Sequence, residues 1–200
     1  MEFEISNKYE TKMEVDKSIF VSYLLPVFTK QEFIDILKNI KQDNPKAKHF
    51  CYAYKINNEI KFSDDGEPQG SAGKPLLSLL ENKKLNNTAL VVVRFFGGIL
   101  LGSGRLLRTY VESGNRVINL AKLEEIVEEK EYLVEVNIES FELFKNYLLK
   151  EHFYIKSINF NDKIEMVFYA PLTYANDIES LFYNKIKIEA IKIVKHKKGV

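Results

Sequence analysis

The chain has 200 residues, of which 46% are hydrophobic and 28% charged; this composition excludes a disordered chain and is typical of one large or two small globular domains. Its 29 Lys and Arg nearly balance its 28 Asp and Glu, so a net charge of +1 excludes a protein that attracts nucleic acid through its overall charge. The single cysteine, Cys51, excludes an internal disulfide bond and a cysteine metal cage.

No targeting or membrane segment is predicted. The first ten residues, MEFEISNKYE, are acidic and lack the apolar run of a signal peptide. No apolar stretch approaches the roughly 20 residues that a membrane-spanning helix needs. We therefore expect a cytoplasmic protein.

The first 62 residues are predicted to contain two strands, a helix and a hairpin. Alternation in Tyr9–Val15 and the β-branched and aromatic residues of Ser18–Phe28 predict the two strands. Thr29 is the predicted cap of the helix, because Glu32 follows it at capping-box spacing and apolar residues then recur at helical spacing. The helix is expected to end at Asn44 and Pro45. The hairpin consists of two further predicted strands: His49–Ile56 and Glu59–Phe62.

Glycine is concentrated in one stretch, Phe62–Tyr110, which contains seven of the nine glycines of the chain. Glycine is favoured where the backbone has a positive φ or where another group approaches closely, so this clustering beside charged residues indicates a built surface. Within the stretch, Pro75 is predicted to lie in the first turn of a short helix, and the apolar run Thr88–Phe96 to form a central strand. A longer helix is predicted from Ser103 to about Lys122.

An acidic loop, FSDDGEPQGSAGKP, precedes the short helix. Its spacing lacks the alternating ligands of a calcium loop, and Pro68 and Pro75 stand where a phosphate-binding P-loop needs Gly and Ser or Thr. We therefore predict no metal and no cofactor, and a loop that orders neighbouring arginines. The residues of this orienting loop are Asp64, Asp65, Glu67, Gly70, Ser71 and Gly73.

A basic, glycine-rich segment, RFFGGILLGSGRLLRTY, follows the central strand. It is not a dinucleotide-binding GxGxxG motif, because Leu107 occupies the third glycine position. Arg105 and Arg108 share one face of the first turns of a helix, whose amino terminus offers free N–H groups and a positive dipole end. We predict an anion or nucleic-acid site formed by Arg94, Gly97, Gly98, Gly102, Gly104, Arg105 and Arg108. The alternative is a structural ion network between these arginines and the acidic loop.

His49 and Cys51 lie two residues apart on a predicted strand, so alternation directs both side chains to one face. A nucleophile–base pair would require an exposed and activated thiol, and a packed core histidine and thiol are favoured instead. No catalytic residue is predicted, and a non-enzymatic function is favoured.

The last third of the chain has a simpler pattern. The charged run Glu124–Glu131 is the predicted linker between two domains, residues 1–126 and 127–200. The order β-α-β-β-α-β predicted after it is that of a ferredoxin-like domain, with its second helix at Thr173–Phe182. The basic tail Lys192–Lys198 is predicted to be a frayed, solvated terminus.

Three motifs carry a family resemblance. Ser63–Pro75 and Arg94–Tyr110 resemble the two halves of the signature of the IMPACT family, which is called the YigZ family in bacteria. An upstream A-x-H-x-C-x-A-Y pattern begins at Ala47. The sequence departs from the signature at Arg105, where the family pattern has a glycine.

The resemblance implies an α+β protein with an N-terminal α/β domain, similar to a ribosomal-protein domain and to domain IV of elongation factor G. It also implies a C-terminal ferredoxin-like domain, similar to the last domain of that factor. Eukaryotic members of the family regulate translation through a starvation-sensing kinase pathway, so the resemblance implies a translation-linked regulator.

The expected partner is RNA or the ribosome and translation machinery, contacted through the arginine–glycine patch. Phe95, Phe96 and Tyr110 are candidates for base stacking, although such residues are more often in the core. Two alternatives remain open. One is a metal-assisted hydrolase of a phosphorylated small molecule, in which the acidic loop would supply the metal or acid–base groups. The other is a protein-interaction module in which the glycine loops serve only the fold.

Overall fold

The computed structural model describes residues 2–171, 174, 178, 180–183 and 185–197. The chain divides into two compact units, residues 1–125 and 126–200. Both units combine helices with antiparallel strands, which confirms the predicted α+β class. Within the described ranges, no helix is both long and apolar enough to cross a membrane.

The first unit is a five-stranded antiparallel sheet with three helices. The sheet order is β2-β3-β6-β4-β5, so β6 lies at the centre and β5 at one edge. A short strand, β1, lies beside Leu85 through a parallel bridge from Phe3. The elements are β1 (Glu2–Glu4), β2 (Tyr9–Val15), β3 (Ser18–Pro26), α1 (Lys30–Asp43), β4 (His49–Ile56), β5 (Glu59–Ser63), α2 (Gly73–Asn82), β6 (Thr88–Phe95) and α3 (Ser103–Leu120).

The central sheet has a core on each face. Alternate residues of β6 enter different cores: Leu90 and Val92 pack with α2 and α3, whereas Val91 and Val93 pack with the side of the sheet that α1 covers. A strand that is buried on both faces must be apolar throughout, which explains the uninterrupted run ALVVV. Burial along β6 ends near Arg94, the one charged residue of the strand.

Helix α1 begins with the capping residues that the sequence predicts. The backbone N–H of Glu32 donates to Thr29 Oγ1 at 3.1 Å, as a cap requires. The carboxylate of Glu32 accepts from the N–H of Phe28 at 2.8 Å, one residue before the cap, so the reciprocal half of the predicted capping box is displaced by one position.

The second unit has the connectivity of a ferredoxin-like domain. Its strand β7 pairs with β10 on one side and β9 on the other, and β8 lies beyond β9. Half of the predicted helix Thr173–Phe182 lies outside the described residues; Ile178, Ser180 and Leu181 are helical. The elements are β7 (Glu124–Val136), α4 (Ile138–Lys150), β8 (Ile155–Phe160), β9 (Ile164–Ala170) and β10 (Ile186–Lys197).

Two charged segments form strands, where the sequence predicted a linker and a frayed, solvated terminus. The predicted linker Glu124–Glu131 is the first part of β7, and residues 192–197 of the predicted solvated tail belong to β10. The two segments pair with each other, from Lys192 opposite Glu131 to Lys197 opposite Ile126. Opposite charges on facing strands favour this pairing, which neither segment reveals by itself. Lys198 lies outside the described residues.

Candidate functional site

Asp64 organises the acidic loop. Its carboxylate accepts three backbone hydrogen bonds, from Gly70 at 2.9 Å, Ala72 at 3.0 Å and Gly73 at 2.8 Å. The last two donors lie at the amino end of α2, where N–H groups would otherwise have no helical partner. Gly73 is required here, because a Cβ atom would come within 2.6 Å of the backbone of Ser63. Asp64 therefore closes the loop onto α2.

Asp65 also interacts with groups inside the protein. Its carboxylate accepts from the N–H of Phe50 at 2.7 Å and lies 3.8 Å from the ammonium of Lys41. Its carbonyl oxygen lies 2.9 Å from Nδ1 of His49. Among the described residues, no group of three or more His, Cys, Asp or Glu is placed to hold a metal ion.

Glu67, Arg94 and Tyr110 form a buried polar cluster. Oε1 of Glu67 lies 2.8 Å from Nη1 of Arg94 and accepts from the Tyr110 hydroxyl at 2.8 Å. Only 4% of the Glu67 side chain and 5% of the Arg94 side chain are exposed. Burial, reinforced by Cys51 and Glu67, raises the pKa of Tyr110, so its hydroxyl remains a donor. This cluster ties the acidic loop to β6 and α3.

The cluster gives Arg94 the structural role of the alternative ion network rather than a place in the predicted anion site. The guanidinium lies over the rings of Phe20 and Phe96, at 5.4 and 5.5 Å from their centroids. Nη2 is 3.5 Å from Oγ of Ser18, and Nε has no hydrogen-bond partner among the described residues. Arg94 is therefore the only one of the three arginines that pairs with the acidic loop.

Cys51 is a packed thiol, as the sequence favoured. It is fully buried, and Sγ donates to the carbonyl oxygen of Asp64 at 2.9 Å and lies 3.3 Å from the hydroxyl of Tyr110. Burial raises the pKa of the Cys51 thiol from 9.0 to about 12. His49 lies on the same side of β4 but is held by Asp65, with Nε2 4.0 Å from Glu67.

Cys51 should therefore resist thiol reagents in the native protein. A pKa that rises from 9.0 to about 12 lowers the thiolate fraction at pH 8 about a thousandfold, and burial blocks access as well. We expect modification by 5,5′-dithiobis(2-nitrobenzoic acid) to be at least a thousandfold slower in buffer than in concentrated urea. Equal rates under the two conditions would contradict the packed position of the thiol.

The glycines of the basic segment divide into two groups. Gly97 is structural: its N–H donates to Ser18 Oγ at 3.1 Å, and a Cβ atom would overlap the backbone carbonyl group of Lys17. Gly98 and Gly102 have φ values of +85° and +72°, and a Cβ atom on either would meet nothing within 4 Å. These two keep the backbone bare on an open surface.

The amino end of α3 is open and basic. Gly102 is its cap residue and makes no side-chain capping bond, and the first turn contains no acidic residue. Arg105 pairs with Asp16 at 2.6 Å while its side chain remains 51% exposed. Arg108 is exposed and has no hydrogen-bond or ion-pair partner among the described residues. Arg105 and Arg108 therefore share this end of the helix, and neither pairs with the acidic loop among the described residues.

Sequence reasoning missed two features of this end. Asp16, in the turn between β2 and β3, is the partner of Arg105, and only the tertiary fold brings these residues together. The loop between Gly98 and Gly102 also carries exposed apolar side chains, with Leu100 87% and Ile99 43% exposed. The sequence did contain a signal for this loop: in GGILLGSG, apolar residues stand between glycines, as expected of an apolar loop tip.

A family model described as the Impact N-terminal domain matches residues 16–118, which include the acidic loop and α3. "IMPACT family member YvyE" from Bacillus subtilis (strain 168) is 35% identical over 175 residues, which cover 84% of this chain and 78% of that protein. "Protein IMPACT" from Homo sapiens is 37% identical over 95 residues, which cover 44% of this chain and 30% of that protein.

A crystal structure of a hypothetical protein shares the fold, with a TM-score of 0.63 and 23% identity over 96% of this chain and 98% of that chain. Its similarity extends over both units, as does the sequence match to the Bacillus protein. The chain belongs to the IMPACT family.

Proposed function

We propose that the protein is a translation-linked regulator that binds RNA or a ribonucleoprotein surface through the amino end of α3. The contact surface, which we call the arginine–glycine surface, consists of Gly98, Gly102, Gly104, Arg105 and Arg108. The translational role rests on membership of the IMPACT family, whose eukaryotic members regulate translation. The binding chemistry rests on the geometry of the helix end.

One observation carries the binding proposal. The amino end of α3 has a bare glycine cap and no acidic residue in its first turn, and Arg108 lies beside it, exposed and without a described partner. Free N–H groups and the positive end of the helix dipole favour an anion at such a terminus. Backbone phosphate is the anion that RNA presents along its whole length, and arginine is well suited to bind it.

Fewer aromatic residues are available to stack on bases than the sequence suggested. Tyr110 is fully buried and Phe95 half-buried, so neither offers an open ring face. Phe96 is 37% exposed, and its ring centroid lies 5.5 Å from the guanidinium of Arg94 and 5.6 Å from the ammonium of Lys48. We therefore assign base stacking, where it occurs, to Phe96 alone.

The hydrolase alternative is less favoured than RNA binding. The carboxylates of Asp64, Asp65 and Glu67 already accept hydrogen bonds from backbone N–H groups, Arg94 and Tyr110. The protein-interaction alternative has one observation in its favour, the exposed Leu100. We keep it as an outcome of the binding experiment.

Replacing Arg108 with Ala should weaken binding to RNA and reduce its salt dependence. Each phosphate contact contributes about 0.7 to 0.9 to the slope of log K against log salt, so losing one contact should lower the slope by about that amount. Binding of the intact protein to a fluorescent single-stranded RNA and to purified ribosomes, measured across a salt series, provides the test.

The matched control is Arg116→Ala, on the same helix. It removes the same charge, but Arg116 pairs with Glu112 at 2.6 Å and lies two turns further along. We expect its salt slope to equal that of the parent. Identical curves for the parent, Arg108→Ala and Arg116→Ala would exclude Arg108 from the contact. Ribosome binding that is lost in Leu100→Ser but retained in Arg108→Ala would favour the protein-interaction alternative.

A further inference from the structure

A concave surface lies on the face of the central sheet that α1 covers. The face that packs against α2 and α3 is covered by two helices, whereas the other core is covered by α1. Between α1 and strands β4 and β5 there is a cavity of about 440 Å³. We call it the lysine groove. It shares no residue with the arginine–glycine surface.

The rim of the groove is strongly basic. Lys30, Lys38 and Lys41 on α1 and Lys61 on β5 line it, and no Asp or Glu is among its lining residues. Lys41 also lies 3.8 Å from Asp65, whereas the other three have no ion-pair partner among the described residues. Four ammonium groups around one cavity, on a protein of net charge +1, make a local field that favours an anionic ligand.

The walls of the groove are apolar rather than suited to a nucleobase. Ile34 is 45% exposed, and Leu37 and Tyr52 are half-buried, so these three present apolar surface to the cavity. The rings of Phe33 and Tyr54 are only 2% and 1% exposed, which leaves Tyr52 as the one open ring. Base recognition by RNA-binding proteins needs open ring faces and hydrogen-bonding groups, whereas aliphatic walls suit an apolar side chain.

The neighbouring edge of the sheet adds a feature that only a polypeptide uses. β5 is the last strand of the sheet, and no other strand pairs with its outer edge among the described residues. Its residues from Glu59 to Phe62 are exposed, and Lys61 connects this edge to the groove. An open strand edge offers backbone donors and acceptors to an added segment, as in β-augmentation.

We propose that the lysine groove binds an acidic, amphipathic segment of a protein partner. An apolar side chain of that segment enters between Ile34, Leu37 and Tyr52, and its flanking carboxylates face the lysines of the rim. The partner is selected by combined charge and apolarity. This inference does not depend on the proposed function, because it concerns a different surface and a different class of ligand.

Three short probe peptides of equal length test the pairing of charge and apolarity. The first alternates Glu with Leu and Phe, the second replaces each Glu with Lys, and the third replaces each Leu and Phe with Ser. A single-stranded RNA of similar length is the fourth probe. Each is titrated into the intact, isotopically labelled protein, and backbone amide shifts are recorded by nuclear magnetic resonance.

We expect the acidic, apolar peptide to shift amides in residues 30–42 and 52–61 and to bind at least about tenfold more tightly than the other peptides. The double variant Lys38→Glu, Lys61→Glu should weaken it about tenfold, since two favourable charge contacts become repulsive. The matched control is Lys12→Glu, Lys74→Glu, in which two exposed lysines away from the groove are reversed and the affinity should be unchanged.

Three outcomes would overturn the proposal. No shift in these residues with the acidic, apolar peptide at millimolar concentration would remove the groove as a docking site. Equal binding by the acidic, polar peptide would reduce it to a charge effect. Tighter binding of the RNA at the same amides, lost in Lys38→Glu, Lys61→Glu, would assign the groove to nucleic acid.

Discussion

Replacing Arg94 with Met is expected to lower the free energy of unfolding by about 3–5 kcal/mol, because it leaves Glu67 buried without its cationic partner. The two side chains are 5% and 4% exposed and lie 2.8 Å apart. Methionine fills much of the volume of the arginine stem, so the loss reports on charge rather than on a cavity. Urea unfolding of the intact protein, followed by circular dichroism and by tyrosine fluorescence, measures the change.

Arg105→Met is the matched control. Arg105 also pairs with a carboxylate, that of Asp16, but 51% of its side chain is exposed. An exposed ion pair contributes about 0–1 kcal/mol, so this variant should unfold almost like the parent. Adding Glu67→Gln to Arg94→Met should restore part of the stability, since no buried charge then remains. Equal losses in Arg94→Met and Arg105→Met would contradict the structural role of the buried pair.

Gly97→Ala is expected to cost about 1–3 kcal/mol or more, because a methyl group there overlaps the backbone of Lys17 in the β2–β3 turn. Backbone atoms cannot move aside as the end of a flexible side chain can. The same variant should disturb the bond from Gly97 N–H to Ser18. Thermal and urea unfolding of the intact protein measure this effect.

Gly104→Ala provides the comparison. Gly104 lies in the first turn of α3, and the nearest atom to an added Cβ is Nη1 of Arg108, 4.0 Å away. Alanine is favoured over glycine within a helix by about 1 kcal/mol, so this variant should be as stable as the parent or more so. A loss in Gly104→Ala as large as that in Gly97→Ala would contradict the division between structural and surface glycines.

Much of the fold could be predicted, because each element carries its own periodic signal. The run TALVVVRFF predicts a strand buried on both faces, and Thr29 with Glu32 predicts where α1 begins. The packed position of Cys51 also followed from general rules for thiols. Such predictions need only local information.

The partners of the arginines could not be predicted in the same way. Arg94 meets Glu67 because the acidic loop folds against β6, a pairing that the sequence offered only as an alternative, and Arg105 meets Asp16 across 89 positions of sequence. Sequence spacing showed which charges were near one another in the chain, but not which were adjacent in space. The predictions for the charged segments of β7 and β10 were incomplete for the same reason. Each segment alone has the composition of a solvated loop, and its strand pairing depends on the other segment.

The buried and exposed parts of helix α3 differ in how well they tolerate substitution. Tyr110, Leu106 and Gly114 are buried, with Tyr110 bonded to Glu67 and Gly114 packed against Leu79, so this face tolerates little change. The exposed residues of its amino end, among them Arg105 and Arg108, take no part in these contacts. Substitutions of these exposed side chains should therefore cost little stability, whereas a side chain at Gly102, which has a φ of +72°, would strain the backbone. Arg105, which stands where the family pattern has glycine, is one of these exposed side chains, so the charge of this helix end can change without a change in the core beneath it.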